Sequence, residues 1–448
     1  MITSIKIERL KSTLEEIKGL KILSTISDRE RFSRDFFDYS PVLKAKLNTC
    51  IADLIVRPGS VDAVVAVARA CQKTNIPLTL RGSGTGNYGQ CVPLKGGVVM
   101  LMSDLKEIRE IDDETGVVIV ETGCLLRDLN SKLSDKGRQL RLLPSTWRSA
   151  SVGGFIAGGS GGIGSVRWGF LRDPGHLLGI EMISIEGSPQ LIQLNEKEAE
   201  ALNHAYGTNG IITALKLSTT HLVNWQEVAI DCKDWQSAVE LVHQCSRAAI
   251  DVYLCSLLEN KIVECLPTWS GEYNAKHRIL LLVSPDGLST LKQLAMTSGA
   301  FFNHLGPENE KRGAGIRELS WNHTTLHMRA LDSNWTYLQM LLPQPELEAM
   351  QLLKRKWGDD LLWHLEGVRQ QGNQRFAALP LIKWKGIERL EELITDCREI
   401  GAIIFNPHVI SVEDGGLGVI DVDQVEAKRR YDPQGILNPG KLKGWPDN

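Results

Sequence analysis

Residues 78–89, L-T-L-R-G-S-G-T-G-N-Y-G, restrict the fold more than any other stretch of this chain. An apolar run over 76–80 leads into Arg81 and then into a turn with glycine at 82, 84, 86 and 89. Glycine lacks a Cβ, so such a turn can take positive φ and present backbone N–H groups to a bulky anion. Gly84, Gly86 and Gly89 also match G-x-G-x-x-G, with Asp104 about twenty residues on, the pattern of a dinucleotide-binding turn that opens a helix. No helix fits here. Gln90-Cys91-Val92-Pro93 and Lys95-Gly96-Gly97 follow, then a strand-like run over 98–102. The turn joins strand to strand, so a dinucleotide pyrophosphate would be held by loops and backbone N–H groups alone.

The 448 residues suggest two or three domains. Hydrophobic residues at 42% and charged residues at 23% suit a soluble globular chain with a sizeable core. A net charge of −3 argues against general nucleic-acid binding. The nine cysteines form no C-x-x-C pair, which disfavours a disulfide framework and a Cys-ligated metal. Reduced core thiols of a cytoplasmic protein are the plainer reading. The opening M-I-T-S-I-K-I-E-R-L-K has no apolar signal segment, and no apolar run is long enough to span a bilayer. Any membrane contact is expected to be peripheral.

Residues 1–47 show helical spacing at Leu10, Leu14, Ile17 and Leu20 and read as helices packed outside the main domain. D-L-I-V-R-P-G-S then reads as a strand ending at Arg57-Pro58, with Ser60 capping a helix over 61–73 and Asn75 closing it. Strands are expected over 117–120, 178–185, 191–194 and 210–217, and a helix over 125–136. A second glycine cluster runs from Pro144 to Gly164, with seven glycines in residues 151–164. A flexible linker is the competing reading, but Val152, Phe155 and Ile156 are interleaved with the glycines, which suggests a folded segment that something large approaches closely. From 221 to 404, strands and helices alternate, as suits a mixed sheet covered by helices. Runs over 361–365 and 376–382 read as single strands.

The order R-P-G-S, R-G-S-G-T-G, P-S with V-G-G and a glycine-rich tail, then G-I-I-T-A-L-K-L, resembles the FAD-binding domain of the vanillyl-alcohol oxidase and para-cresol methylhydroxylase (PCMH) superfamily. Y-D-P-Q-G-I-L-N-P-G-K, residues 431–441, resembles the terminus of its glycolate oxidase D-subunit and D-lactate dehydrogenase branch. The resemblance implies an α+β fold: a PCMH-type FAD-binding domain of two α/β subdomains, over 48–220, and a ferredoxin-like α+β cap over 221–410. A tail over 411–448 would return to the flavin. It implies FAD as cofactor. Arg81, Gly82, Ser83, Gly84, Thr85 and Gly86 would hold the pyrophosphate. Pro144, Ser145, Ser151, Gly153, Gly154 and Gly161 would line the ribityl chain and flavin. Gly210 and Ile211 would lie by the adenosine half, and Asn438 and Lys441 at the flavin edge, where an ordinary turn and a solvated charge are the competing reading. Branches with covalent flavin have histidine where this chain has Thr85, so non-covalent FAD is expected.

A flavin dehydrogenase needs a base for the substrate hydroxyl, and histidine titrates near neutrality. His323 and His327 in S-W-N-H-T-T-L-H-M-R, His364 in L-L-W-H-L-E-G and His408 in F-N-P-H-V-I are the candidates, each with a structural role as the alternative. Arg148, Arg329 and Arg369 could anchor a carboxylate. The branch's H-x-G-D-G-N segment is missing, and its E-H-G position reads Glu413-Asp414-Gly415, so no metal is expected and 2-hydroxy-acid specificity rests on resemblance. The expected activity is oxidation of a hydroxyl-bearing small molecule, a 2-hydroxy acid being favoured. The electron acceptor could be oxygen, a quinone or a protein carrier. Oxidation of another alcohol, sugar or lactone, a non-redox flavin reaction and an electron-transfer subunit remain open alternatives.

Overall fold

The computed structural model describes residues 4–159, 161–266, 277–309 and 315–445. Its first layer is a four-stranded sheet in the order Leu20–Leu23, Leu54–Pro58, Val98–Leu101, Leu78–Arg81. Ser60 accepts a hydrogen bond from the Ala63 amide (3.2 Å) and starts helix Val61–Thr74, which Asn75 ends in the left-handed region at φ 49°. Leu78–Arg81 and Val98–Leu101 lie side by side and parallel. A parallel pair ordinarily needs a helical crossover. Here residues 82–97 make the return without a helix, so the glycine turn stands at the strand ends, where an α/β layer binds ligands.

Of residues 1–47, expected to be helical, the described part from residue 4 forms helices Ser4–Glu15, Ile26–Phe32 and Pro41–Leu47 but also strand Leu20–Leu23, antiparallel to Leu54–Pro58. The four residues are too few to show a period, and Lys21 on them suits an open sheet edge.

The second layer is a six-stranded sheet around the long strand Ile211–His221, which pairs antiparallel with Val117–Glu121 on one side and Leu177–Ser184 on the other. Helices Leu126–Ser134 and Val152–Gly158 connect to it.

The cap is an eight-stranded sheet that includes Gln226–Cys232, His277–Val283, Val252–Leu258, His364–Gln370, Asn373–Ala378, Gln339–Leu341 and Ile403–Phe405. Alternation along its strands divides it into two faces. Val228, Ile230, Ile279, Leu281, Met340 and Ala378 share a core with cap helices such as Trp235–Arg247, Glu346–Trp357 and Ile387–Glu399. Ala229, Leu280, Leu282, Leu341 and Ala377 share a core with Leu143, Val152 and Ile163 of the glycine-rich half. The runs read as single strands over 361–365 and 376–382 are each divided. Leu361–Leu362 and Leu381–Lys383 belong to a separate three-stranded sheet, while His364–Gln370 and Asn373–Ala378 stay in the large one. Pro380, which has no N–H for a ladder, sits at the second break.

The C-terminal segment closes the first layer. The Leu78 amide donates to the Ile436 carbonyl (2.8 Å) and the Asn438 amide to the Leu78 carbonyl (2.9 Å), a parallel bridge beside the strand that carries the glycine turn.

Candidate functional site

A cavity of about 930 Å³ lies between the two glycine-rich segments and the apolar face of the cap sheet. That is near the upper end of the roughly 300–1,000 Å³ of small-molecule sites.

Its floor is made by glycine. A Cβ on Gly82 would lie 2.3 Å from Ser151 Oγ, and one on Gly153 would lie 1.7 Å from Thr122 Oγ1. Ser151 is occupied as the cap of Val152–Gly158, accepting from the Gly154 amide at 3.2 Å. The two glycine segments are therefore packed against each other as well as against the cavity. Gly84 takes φ +70°, and a Cβ there would strike the Arg81 guanidinium at 2.0 Å.

Behind the turn stands a buried cluster of charge. Arg81 donates through Nη1 to the Arg34 carbonyl and to Cys91 Sγ (3.1 Å). Lys441, fully buried, donates through Nζ to the Gly89 carbonyl. Burial pulls the Lys441 ammonium down to about 8, against the pull of Asp35. Burial likewise pushes the Asp35 carboxyl up to about 6, against Lys441. Asn438, at φ 39°, donates to the carbonyls of Gln90 (2.8 Å) and Tyr206 (2.7 Å) and so pins two wall segments together.

Of the residues expected to hold the cofactor, Gly82, Ser83, Gly84, Thr85, Gly86, Pro144, Ser145, Ser151, Gly153, Gly154, Gly161 and Gly210 line the cavity. Arg81, Ile211, Asn438 and Lys441 do not. They are buried behind its wall, and Ile211 belongs to the core of the first layer.

The four histidines separate by environment. His323 begins helix His323–Leu331 and lines the cavity. Burial, with a smaller push from His327, brings its imidazole down to about 4, so it is neutral at pH 7. His364 is fully buried behind it, hydrogen-bonded through Nδ1 to Thr324 Oγ1 (2.9 Å) and through Nε2 to Glu366 Oε1 (2.7 Å). The same carboxylate oxygen accepts the Trp321 amide at 2.6 Å, which fixes the left-handed turn of Trp321 (φ 47°) at the start of the His323 helix. His327 is bonded through Nε2 to the Glu318 carbonyl (3.1 Å). His408 is held between Ser40 Oγ (2.7 Å) and the Tyr337 carbonyl (2.9 Å), with burial bringing it down to about 4. Of the four, His323 alone reaches the cavity.

Several wall residues carry no signal in the sequence. Asn87 and Asn322 both donate to the Tyr337 hydroxyl, at 2.8 and 3.1 Å, and the Tyr88 hydroxyl donates to Gln339 Oε1 (3.3 Å). These bonds tie the glycine turn to the cap. Burial holds the Tyr88 and Tyr337 hydroxyls well above the usual phenol range. His204 and Tyr206 line the wall with positive φ, 56° and 52°. Their one visible signal is position, just before the T-N-G-I-I-T run. Arg148 lines the cavity and donates through Nε to Glu318 (2.6 Å). Arg329 is outside it, donating to the backbone carbonyls of Trp335 (2.6 Å) and Asp38 (2.9 Å), and Arg369 is also outside the wall.

The residues present fit FAD. The cavity holds about 930 Å³, lies at the parallel strand ends and is floored by glycines, and Gln424 on its wall has a buried amide oxygen without a partner among the described residues. Residues 82–86 and 151–154 would hold the pyrophosphate and ribityl region. Among the described residues, no group of three or more His, Cys, Asp or Glu is arranged to hold a metal ion, and no helix is long and apolar enough to cross a membrane.

Comparison with known proteins agrees with this geometry. Residues 52–190 match the family model for the FAD binding domain. The chain is 23% identical over 457 residues to D-lactate dehydrogenase of Archaeoglobus fulgidus, covering 96% of this chain and 99% of that protein. It is 30% identical over 135 residues to glycolate oxidase subunit GlcD of Bacillus subtilis, covering 30% of this chain and 28% of that protein. With mitochondrial D-2-hydroxyglutarate dehydrogenase of Arabidopsis thaliana it shares 26% identity over 244 residues, covering 53% and 42%. The match thus spans less than half the length of these last two relatives. Among solved structures, an alkyldihydroxyacetonephosphate synthase superposes with a TM-score of 0.74 at 16% identity, covering 98% of this chain and 85% of that one. A 4-ethylphenol oxidase from Gulosibacter chungangensis gives 0.69 at 17% identity, covering 100% and 98%. These two likenesses concern the fold.

Proposed function

We propose that this chain, which carries a PCMH-type FAD-binding domain, binds FAD non-covalently and oxidises a 2-hydroxy acid to the 2-oxo acid. One observation carries the reading: a neutral histidine, His323, on the wall of the cavity that faces both the FAD-binding residues and the cap. Similarity to a D-lactate dehydrogenase along 96% of the chain supports the substrate class. Thr85 on the cavity wall, in place of a histidine, supports non-covalent attachment. The nine free thiols suit a reducing cytoplasm.

Bound FAD supplies the acceptor for the hydride that leaves C2. His323 takes the hydroxyl proton as that hydride departs. It is neutral at pH 7, and the Thr324–His364–Glu366 chain fixes the turn from which it projects. Arg148, on the cavity wall and bonded through Nε to Glu318, would share its charge with the substrate carboxylate. The apolar cap face excludes water from the reacting carbon.

The test is anaerobic titration of the yellow holoprotein with 2-hydroxy acids, after acid precipitation has located the flavin. Flavin in the supernatant and bleaching by a 2-hydroxy acid are expected. His323→Asn should slow bleaching by about 10²–10⁴-fold with flavin content unchanged. Bound flavin that no hydroxy acid or alcohol bleaches would overturn the reading and favour a flavin reaction without net oxidation.

A further inference from the structure

The cap sheet gives the cavity one largely apolar side. Leu341 stands directly opposite Ala377, and Gln339 opposite Phe405, in adjacent antiparallel pairs. Strand alternation turns Met340 and Ala378 toward the cap helices and turns Gln339, Leu341, Ala377, Leu379 and Phe405 toward the cavity, where all five line the wall. Gln339 is the polar member, and its side-chain oxygen already accepts from Tyr88. The remaining four make an apolar roof, in which the small Ala377 stands across from the larger Leu341.

An acid of two or three carbons has nothing to place against such a surface. We propose that the roof of Leu341, Ala377, Leu379 and Phe405 binds an apolar side chain, and that the substrate is a 2-hydroxy acid with a branched aliphatic or aromatic substituent on C2. The inference rests on the hydroxy-acid reading above for the reaction, but the roof itself can be tested by binding alone. Each methylene buried there strengthens binding roughly three- to fourfold.

The experiment has two arms, both on the FAD-loaded protein. In the first, acetate, propionate, butyrate, pentanoate and 4-methylpentanoate are titrated as non-reacting ligands, with the visible flavin spectrum and the thermal midpoint as readouts. Kd should fall stepwise with carbon number, on the order of 100-fold across the series. In the second, achiral glycolate and both enantiomers of lactate, 2-hydroxy-4-methylpentanoate and phenyllactate are compared for the rate of anaerobic bleaching, and the last two should be fastest. Ala377→Phe, which puts a ring into the space under the roof, should abolish the advantage of the longer acids in both arms. Leu341→Ala should reduce it several-fold, and flavin content reports whether each variant has folded. A Kd independent of chain length, or tightest for acetate, overturns the roof proposal. A Kd that falls with chain length without bleaching by any hydroxy acid leaves the roof standing and removes the proposed reaction.

Discussion

Gly82 and Ser151 meet at contact distance: a Cβ on the glycine would lie 2.3 Å from the serine hydroxyl oxygen. The first glycine turn is thus seated on the capping residue of the helix that carries the second. Real Cβ atoms do not approach a neighbour that closely, so Gly82→Ala must displace the serine or the turn. A stability loss of about 1–3 kcal/mol and at least tenfold weaker FAD retention are expected. Ser151→Gly removes the obstructing hydroxyl at little capping cost, because glycine is itself a tolerable cap. The double variant should therefore retain FAD better than Gly82→Ala alone. Flavin release on gel filtration measures both, and a double variant that is worse than either single change would sink the explanation.

Lys441 is buried beneath the turn and Asp35, half-buried, interacts with it, each ordinarily charged and each shifted toward its neutral form. Lys441→Met removes the cation that opposes the desolvation of Asp35 and takes a donor from the Gly89 carbonyl. Roughly 3 kcal/mol of destabilisation is expected. Asp35→Asn in the same chain should recover part of that loss. Urea midpoints of the two single variants and the double would show it, and simple additivity would count against a coupled pair.

Acid should unfold the protein from pH 6.5 downward. His204, His323 and His408 are each lowered by burial to about 4 from the ordinary 6.5. Between those values the unfolded chain binds protons that the folded chain refuses, so stability rises with pH across this window and is lost as pH falls toward 4. Asp35 acts in the opposite sense. Its raised carboxyl takes up a proton in the folded state between about 4 and 6, which offsets one of the three histidines. The expected net slope is positive. Melting midpoints between pH 4 and 7 should show it, and His408→Gln should flatten it.

Glu366 should act on the reaction through His323. Its carboxylate holds both the Trp321 amide and His364, and so the start of the His323 helix. Glu366→Gln is expected to slow flavin bleaching about tenfold with flavin content retained. The effect should largely vanish in a His323→Asn background, since a misplaced base and a missing one cannot both be lost. Thr324→Val, which breaks the bond to His364, should do the same more weakly. Full additivity of His323→Asn and Glu366→Gln would show that Glu366 serves only folding.

What could be read from the sequence was whatever the backbone itself demands. The strand-to-strand glycine turn and the second glycine cluster are legible because those positions admit no Cβ, a constraint that shows in the residue type itself even where the obstructing atom lies far along the chain. Ser60 and Asn75 are legible for a similar local reason. The histidines were not separable, because their roles depend on partners far along the chain. Ser40 meets His408 across 368 residues, and Thr324 meets His364 across 40. The Asn87–Tyr337 and Tyr88–Gln339 bonds, 250 and 251 residues apart, leave no pattern in either segment. Strand Leu20–Leu23 and the break at Pro380 were hidden by short length and by apolar residues that suit either sheet.

The bridge between Leu78 and Leu437 has a kinetic meaning. Asn438 reaches Gln90 across 348 residues and Lys441 reaches Gly89 across 352. Contacts of such sequence separation are the slow ones to form, because the chain entropy lost in closing the loop comes before any contact repays it. During synthesis the glycine turn emerges early, yet its supporting bridge and buried cation are made some three hundred and fifty residues later. The nascent FAD-binding half must therefore wait, incompletely supported, while the whole cap is translated. Cofactor capture is expected to be a late event in the life of each new chain, and a shortage of FAD would be felt first as a pool of nearly folded protein lacking its last interlock.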